Sequence, residues 1–93
     1  MPGNVDYRKL IEEIVSKQMA ILGPDIALRK ARNVPGLEVD EQGVVQRLNE
    51  ADSQNILQKL VDEYIALSGA IVRNILDPVF AKYPGVKLNL PNK

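Results

Sequence analysis

The chain has 93 residues, 45% hydrophobic and 26% charged, the composition of one small folding domain rather than a disordered segment. Its twelve basic and twelve acidic residues cancel, which argues against a bulk electrostatic grip on nucleic acid or anionic membrane and lowers the barrier to self-association. Cysteine and histidine are both absent, excluding disulfides, Cys–His or Ser–His nucleophile–base pairs and the usual structural zinc sites.

Taken in order, residues 6–22 have the apolar spacing of a first long helix, with Tyr7, Leu10, Ile11, Ile14, Val15, Ile21 and Leu22 on one arc and Asn4 or Asp6 as its N-cap. Gln18 falls inside that arc. It is expected near the rim, reaching water, with a register-fixing buried hydrogen bond as the alternative. Gly23-Pro24-Asp25 ends this helix and starts a short second one over residues 24–32, since proline suits a first helical position and Asp25 complements the dipole. Val34-Pro35-Gly36 forbids its continuation. Apolar–polar alternation on either side of Asp40-Glu41-Gln42-Gly43 then predicts a β-hairpin over residues 37–48.

The stretch from Gln54 to Tyr83 reads as one long helix, entered through a cap at Asp52 or Ser53. Its apolar arc spans roughly 200°, well beyond the stripe of about 100° that a surface helix needs. Such a helix must be covered on two sides, one by the first helix and the other by a second subunit or partner. Ser68-Gly69-Ala70 is a small-residue run at mid-helix, either a close-packing site or a tolerated weak spot. A kink or restart is expected at Asp77-Pro78. Residues 86–90 alternate again and suggest a third strand.

Two halves, residues 6–39 and 56–90, echo each other in the order of features. Lys9–Val15 parallels Lys59–Ile65, Ala20-Ile21-Leu22 parallels Ala70-Ile71-Val72, and Pro35-Gly36 parallels Pro84-Gly85. An internal duplication with the hairpin as an insertion is one reading; chance similarity between amphipathic helices is the other.

No arrangement of residues points to catalysis. Glu12-Glu13 and Asp62-Glu63 are adjacent acids that diverge by about 100° on a helix and read as solvated faces. Arg29, Lys30 and Arg32 cluster at the end of the second helix, where they either contact an anion or acidic partner or simply complement the dipole.

The expectation is a mostly α single domain. It is a bundle of two long and two short helices with a β-hairpin, working as a non-catalytic interaction, dimerisation or adaptor module. The expected partner is a second copy or another protein. Its contact residues would be Leu60, Tyr64, Leu67, Ser68, Ile71, Val72, Arg73 and Ile75, rimmed by Arg29, Arg32 and Arg73, with Arg29, Lys30 and Arg32 as the candidate contact for an anion or acidic partner. No cofactor or metal is implied. No run is long enough for a membrane span, and the first residues lack a signal-peptide pattern, so a cytoplasmic protein is expected. The alternatives are a small-ligand sensor with an apolar pocket between helices and, more weakly, a DNA-binding regulator whose basic second helix reads the duplex.

Overall fold

The computed structural model describes residues 6–69, 71–83 and 86; the side chains of Ile71 and Arg73 lie outside the described set. Four helices and one hairpin follow in order: α1 Tyr7–Leu22, α2 Pro24–Arg32, β1 Leu37–Val39, β2 Val45–Leu48, α3 Ser53–Ser68 and α4 Ile71–Phe80, with a 3-10 turn Glu50–Asp52 leading into α3. Asp6 caps α1 as the sequence suggests, its carboxylate accepting the Lys9 N–H at 3.1 Å. Pro24 occupies the first turn of α2, where its missing N–H costs nothing.

The predicted single helix over residues 54–83 is divided, and the division is at Gly69 rather than at Asp77-Pro78. The Gly69 N–H donates to the Ile65 carbonyl at 2.6 Å, and its backbone turns to φ 69°, ψ −150°. An L-residue has a steric penalty there that glycine escapes. Pro78 lies inside α4 without interrupting it: the Ala81 N–H still reaches the Asp77 carbonyl at 2.9 Å. Both Asn74 and Pro78 are exposed, so the carbonyl that loses its helical donor faces solvent.

Five contacts fix how the helices run. Tyr7 Oη donates to Gln54 Oε1 at 2.7 Å, so α1 and α3 begin at the same end. Tyr64, late in α3, donates its hydroxyl to the Ala27 carbonyl in the first turn of α2 at 2.9 Å. Lys30 meets Glu63 at 3.8 Å, one turn further along α2 and further back along α3. Glu13 takes Lys82 at 2.9 Å and the Tyr83 hydroxyl at 3.4 Å, just beyond α4. The order is therefore up, down, up, down, and the connections at Gly23 and Gly69 lie together at one end.

Folding back at Gly69 covers the wide apolar arc from within the chain. Leu60, Val61 and Tyr64 of α3 and Val72, Leu76 and Val79 of α4 join Leu10, Ile11, Ile14 and Val15 of α1 in one core, which also takes Ala27 and Ala31 of α2. The proposed correspondence between the halves is not supported: α1 runs unbroken through Ala20-Ile21-Leu22, whereas α3 ends at Ser68 and Ile71 begins a new helix. The third strand expected over residues 86–90 falls outside the described residues except for Val86, which is not in a strand.

The hairpin closes the remaining side. Leu37 pairs with Leu48, Glu38 with Arg47 and Val39 with Val45, with a bulge between the last two pairs. Leu37, Val39, Val45 and Leu48 point into the core while Glu38, Gln46 and Arg47 face water. Asp40 organises the turn: its Oδ1 accepts the N–H groups of Gln42 and Val44, both at 2.9 Å, and its Oδ2 accepts Gln46 Nε2 at 3.0 Å. Gly43, at φ +83°, sits against α1, where an added Cβ would lie 3.0 Å from Met19 Sδ and 3.2 Å from Val15 Cγ1. α1 also braces β2 directly. Arg8 Nη1 donates to the Val45 carbonyl and Glu12 Oε2 accepts the Val45 N–H, both at 2.9 Å. These two side chains, one helical turn apart, satisfy both backbone groups of one residue.

Removing one half of that brace should leave a partly buried N–H without its acceptor. Glu12→Ala is expected to destabilise the fold by about 1–2 kcal/mol and to speed amide hydrogen exchange at Val45, while Glu12→Gln, which keeps an acceptor oxygen, should retain most of both. Unchanged exchange at Val45 in Glu12→Ala would show that the bond does not hold in solution.

Candidate interaction surface

The contact residues expected from sequence separate into three groups. Leu60, Tyr64 and Val72 are 0% exposed. They are core residues of the chain itself and form no surface, because α4 folds onto the arc that a second subunit was expected to cover. Ser68 and Ile75 are half-buried, and Ile75 packs against the core cluster. Ile71 and Arg73 fall outside the described side chains. Only Leu67, at 46% exposure, presents a large apolar side chain to solvent.

Leu67 has company that the sequence reading placed elsewhere. Ile21 is 52% exposed and Ile26 44%. Ile26 is one turn before Lys30 and Leu67 one turn after Glu63, so the antiparallel contact between Lys30 and Glu63 sets Ile26 beside Leu67. Ile21 lies two residues before Gly23 at the end of α1. All three therefore gather at the end of the bundle that carries the two glycine connections. Gly23 and Gly69 both have positive φ, and among the described residues an ideal Cβ on either would meet nothing within 4 Å. The signal for Ile21 was misread because Ile21 belongs to the apolar arc of α1 by period; it emerges only because α1 stops at Leu22, one residue past it. Ile26 had no such signal, since α2 is too short for its period to separate a core face from a free one.

The basic cluster also divides. Lys30 is turned toward α3 and paired with Glu63. Arg29 and Arg32 lie on the opposite flank, in a groove of about 440 Å³ lined also by Pro24, Asp25, Leu28 and Glu41 of the hairpin turn. Two arginines and two acids share that groove, so its local charge is balanced rather than anion-attracting. The adjacent acids diverge, but only Asp62 is on a solvated face: Glu12, Glu13 and Glu63 are partly buried, because Glu12 braces Val45, Glu13 holds Lys82 and Glu63 meets Lys30, while Asp62 accepts from Gln58. Among the described residues no three acids converge on a metal-sized site, and no helix is long and apolar enough to cross a membrane.

Two polar groups sit inside the core and differ in how they are satisfied. Tyr64 is fully buried with its hydroxyl bonded to Ala27, and burial pushes its ionisation far above the ordinary tyrosine range. Gln18 corrects its expectation: it is 0% exposed, at the centre of the α1 apolar arc rather than at its rim. Neither its amide nitrogen nor its amide oxygen has a hydrogen-bond partner. An unpaired buried amide costs about 1–3 kcal/mol by the mutational scale.

Replacing that amide with an apolar side chain of similar length should therefore help. Gln18→Met is expected to raise the unfolding free energy by about 1–2 kcal/mol in urea titration; a loss of stability would show the amide to be hydrogen-bonded in solution. For Tyr64 the sign runs the other way with pH. A hydroxyl that ionises less readily in the folded state contributes stability that is intact below the ordinary pKa of 10.0 and is lost as pH rises above it. Tyr64→Phe should cost about 1 kcal/mol at neutral pH and make the alkaline fall in stability shallower. An identical alkaline limb in the variant would count against a buried Tyr64.

No protein-family model matches the chain, and no curated protein or solved structure is significantly similar to it.

Proposed function

We propose that this chain is a non-catalytic association module that docks through the glycine end of its bundle. The observation that supports the reading is the grouping of Ile21, Ile26 and Leu67, each about half exposed, around the two glycine connections. Single exposed aliphatic side chains are ordinary, and Val44 beside the hairpin turn, 44% exposed, is one, but three gathered at one end are the pattern of a contact site. The zero net charge adds no long-range repulsion between copies.

The size of the effect sets the kind of complex. Completing the burial of a half-exposed aliphatic side chain contributes about 1 kcal/mol. A symmetric contact between two such ends therefore gathers roughly 6 kcal/mol, against an association cost of at least about 4 kcal/mol. The apolar contact alone supports a reversible, concentration-dependent complex, and neighbouring polar groups must contribute to any tighter one.

Sedimentation velocity on the untagged chain from micromolar to about 1 mM should show a reversible shift toward dimer at the upper end. Leu67→Asp and Ile26→Asp should each remove that shift while leaving helical circular dichroism intact, because both side chains already face water. A wild-type chain that stays monomeric throughout, or variants that associate as it does, would overturn the assignment of this end as a self-contact.

A further inference from the structure

Resting on that reading, the surface of α2 specifies how two copies meet. Along α2 the exposed residues follow a polar order: Asp25 at the N-terminal end, then Ile26, then Arg29 and Arg32 at the C-terminal end. Neither Arg29 nor Arg32 has a hydrogen bond or ion pair among the described residues, although Asp25 and Glu41 line the same groove. A helix that is acidic at one end and basic at the other repels a parallel copy of itself and matches an antiparallel one. Point-group symmetry favours the same answer, since a two-fold axis brings each residue of a patch to its complement on the partner.

We propose that the occupant of this face is a second copy of the chain, with α2 packed antiparallel against its mate about a two-fold axis and Asp25 of each copy opposite Arg29 of the other. That register centres the axis on Ala27. Ile26 then lies one residue from the axis and meets its symmetry mate there. Leu67, beside Ile26, extends the apolar contact. The two Asp25–Arg29 pairs flank it, one on each side of the axis, and Arg32 and Glu41 lie further out as a second, mixed-charge rim. The same arrangement accounts for the two guanidiniums without internal partners: their acids are on the other molecule.

The test uses two single charge reversals of the full chain, Asp25→Arg and Arg29→Asp. Each should weaken self-association by about tenfold or more, because two attractive pairs become two repulsive ones. Mixed in equal amounts, the two variants should form a heterodimer at concentrations where neither forms a homodimer, identified by its intermediate mass in native mass spectrometry. The double variant D25R/R29D should recover association close to the wild type. Thermal melts establish that each variant is folded, and for any that is not, the salt series on the wild-type chain serves instead. Added salt should weaken wild-type association if the charge pairs form and leave it unchanged if they do not.

Absence of the heterodimer, or single variants that associate like the wild type, would overturn the antiparallel register. Loss of association in Leu67→Asp alongside those results would leave the apolar end as the contact and show only its geometry to be wrong. A chain that never self-associates would remove both.

Discussion

The fold depends on a single backbone reversal. Residues 53–80 carry more apolar circumference than one neighbouring helix can cover, and a straight helix over that span would leave half of it in water. Gly69 converts the excess into a second layer. Its φ of 69° and ψ of −150° let α4 turn back so that Val72, Leu76 and Val79 face the core. With no side-chain neighbour within 4 Å, space does not select glycine there; the backbone conformation does. Gly23 makes the matching reversal between α1 and α2 at φ 91°, ψ 150°. Two residues without side chains thus set the direction of two of the four helices, α2 and α4.

The same reversals leave the bundle with unequal ends. At the Tyr7 end, the start of α3 is tied to α1 by a hydrogen bond, and the 3-10 turn ahead of it is closed by Ser53 Oγ donating to the Glu50 carbonyl at 2.8 Å. At the glycine end, Ile21 of α1 and Leu67 of α3 are exposed, while Leu22 still packs against the core. A dipole-complementary acid at the start of α2 and cations near its close are local consequences of helix electrostatics. In the proposed dimer, that same pattern on the exposed face of α2 sets the antiparallel register.

Local chemistry made most of the elements legible in the sequence. Asp6 as a cap, Pro24 in a first turn, the Pro35-Gly36 stop and the alternation around Asp40 each act through neighbours a few residues away, and each is found where the residues indicate. What was not legible was long-range. Periodicity identifies a wide apolar arc in residues 56–79 but cannot say whether a second molecule or the next segment of the same chain covers it. For Leu60, Tyr64 and Val72 it is the chain itself. Glycine and proline were weighed in the wrong order for the same reason: a proline on the exposed face of a helix's last turn loses little, whereas a glycine at the right register permits a turn that packing then rewards. Ile21 and Ile26 are exposed because of where helices stop in space, a quantity that no window of residues contains.

The brace from α1 to the hairpin has a consequence for the unassembled or damaged chain. A two-stranded ribbon has two open edges, and an open edge is a template for unrelated strands. On β2, Arg8 and Glu12 occupy the outward carbonyl and N–H of Val45, the groups an incoming strand would use. The helix thereby leaves no free backbone group at Val45 for an incoming strand to pair with. Fraying of the first turns of α1 would free both groups, so the same two side chains that hold the native fold also close the edge at Val45.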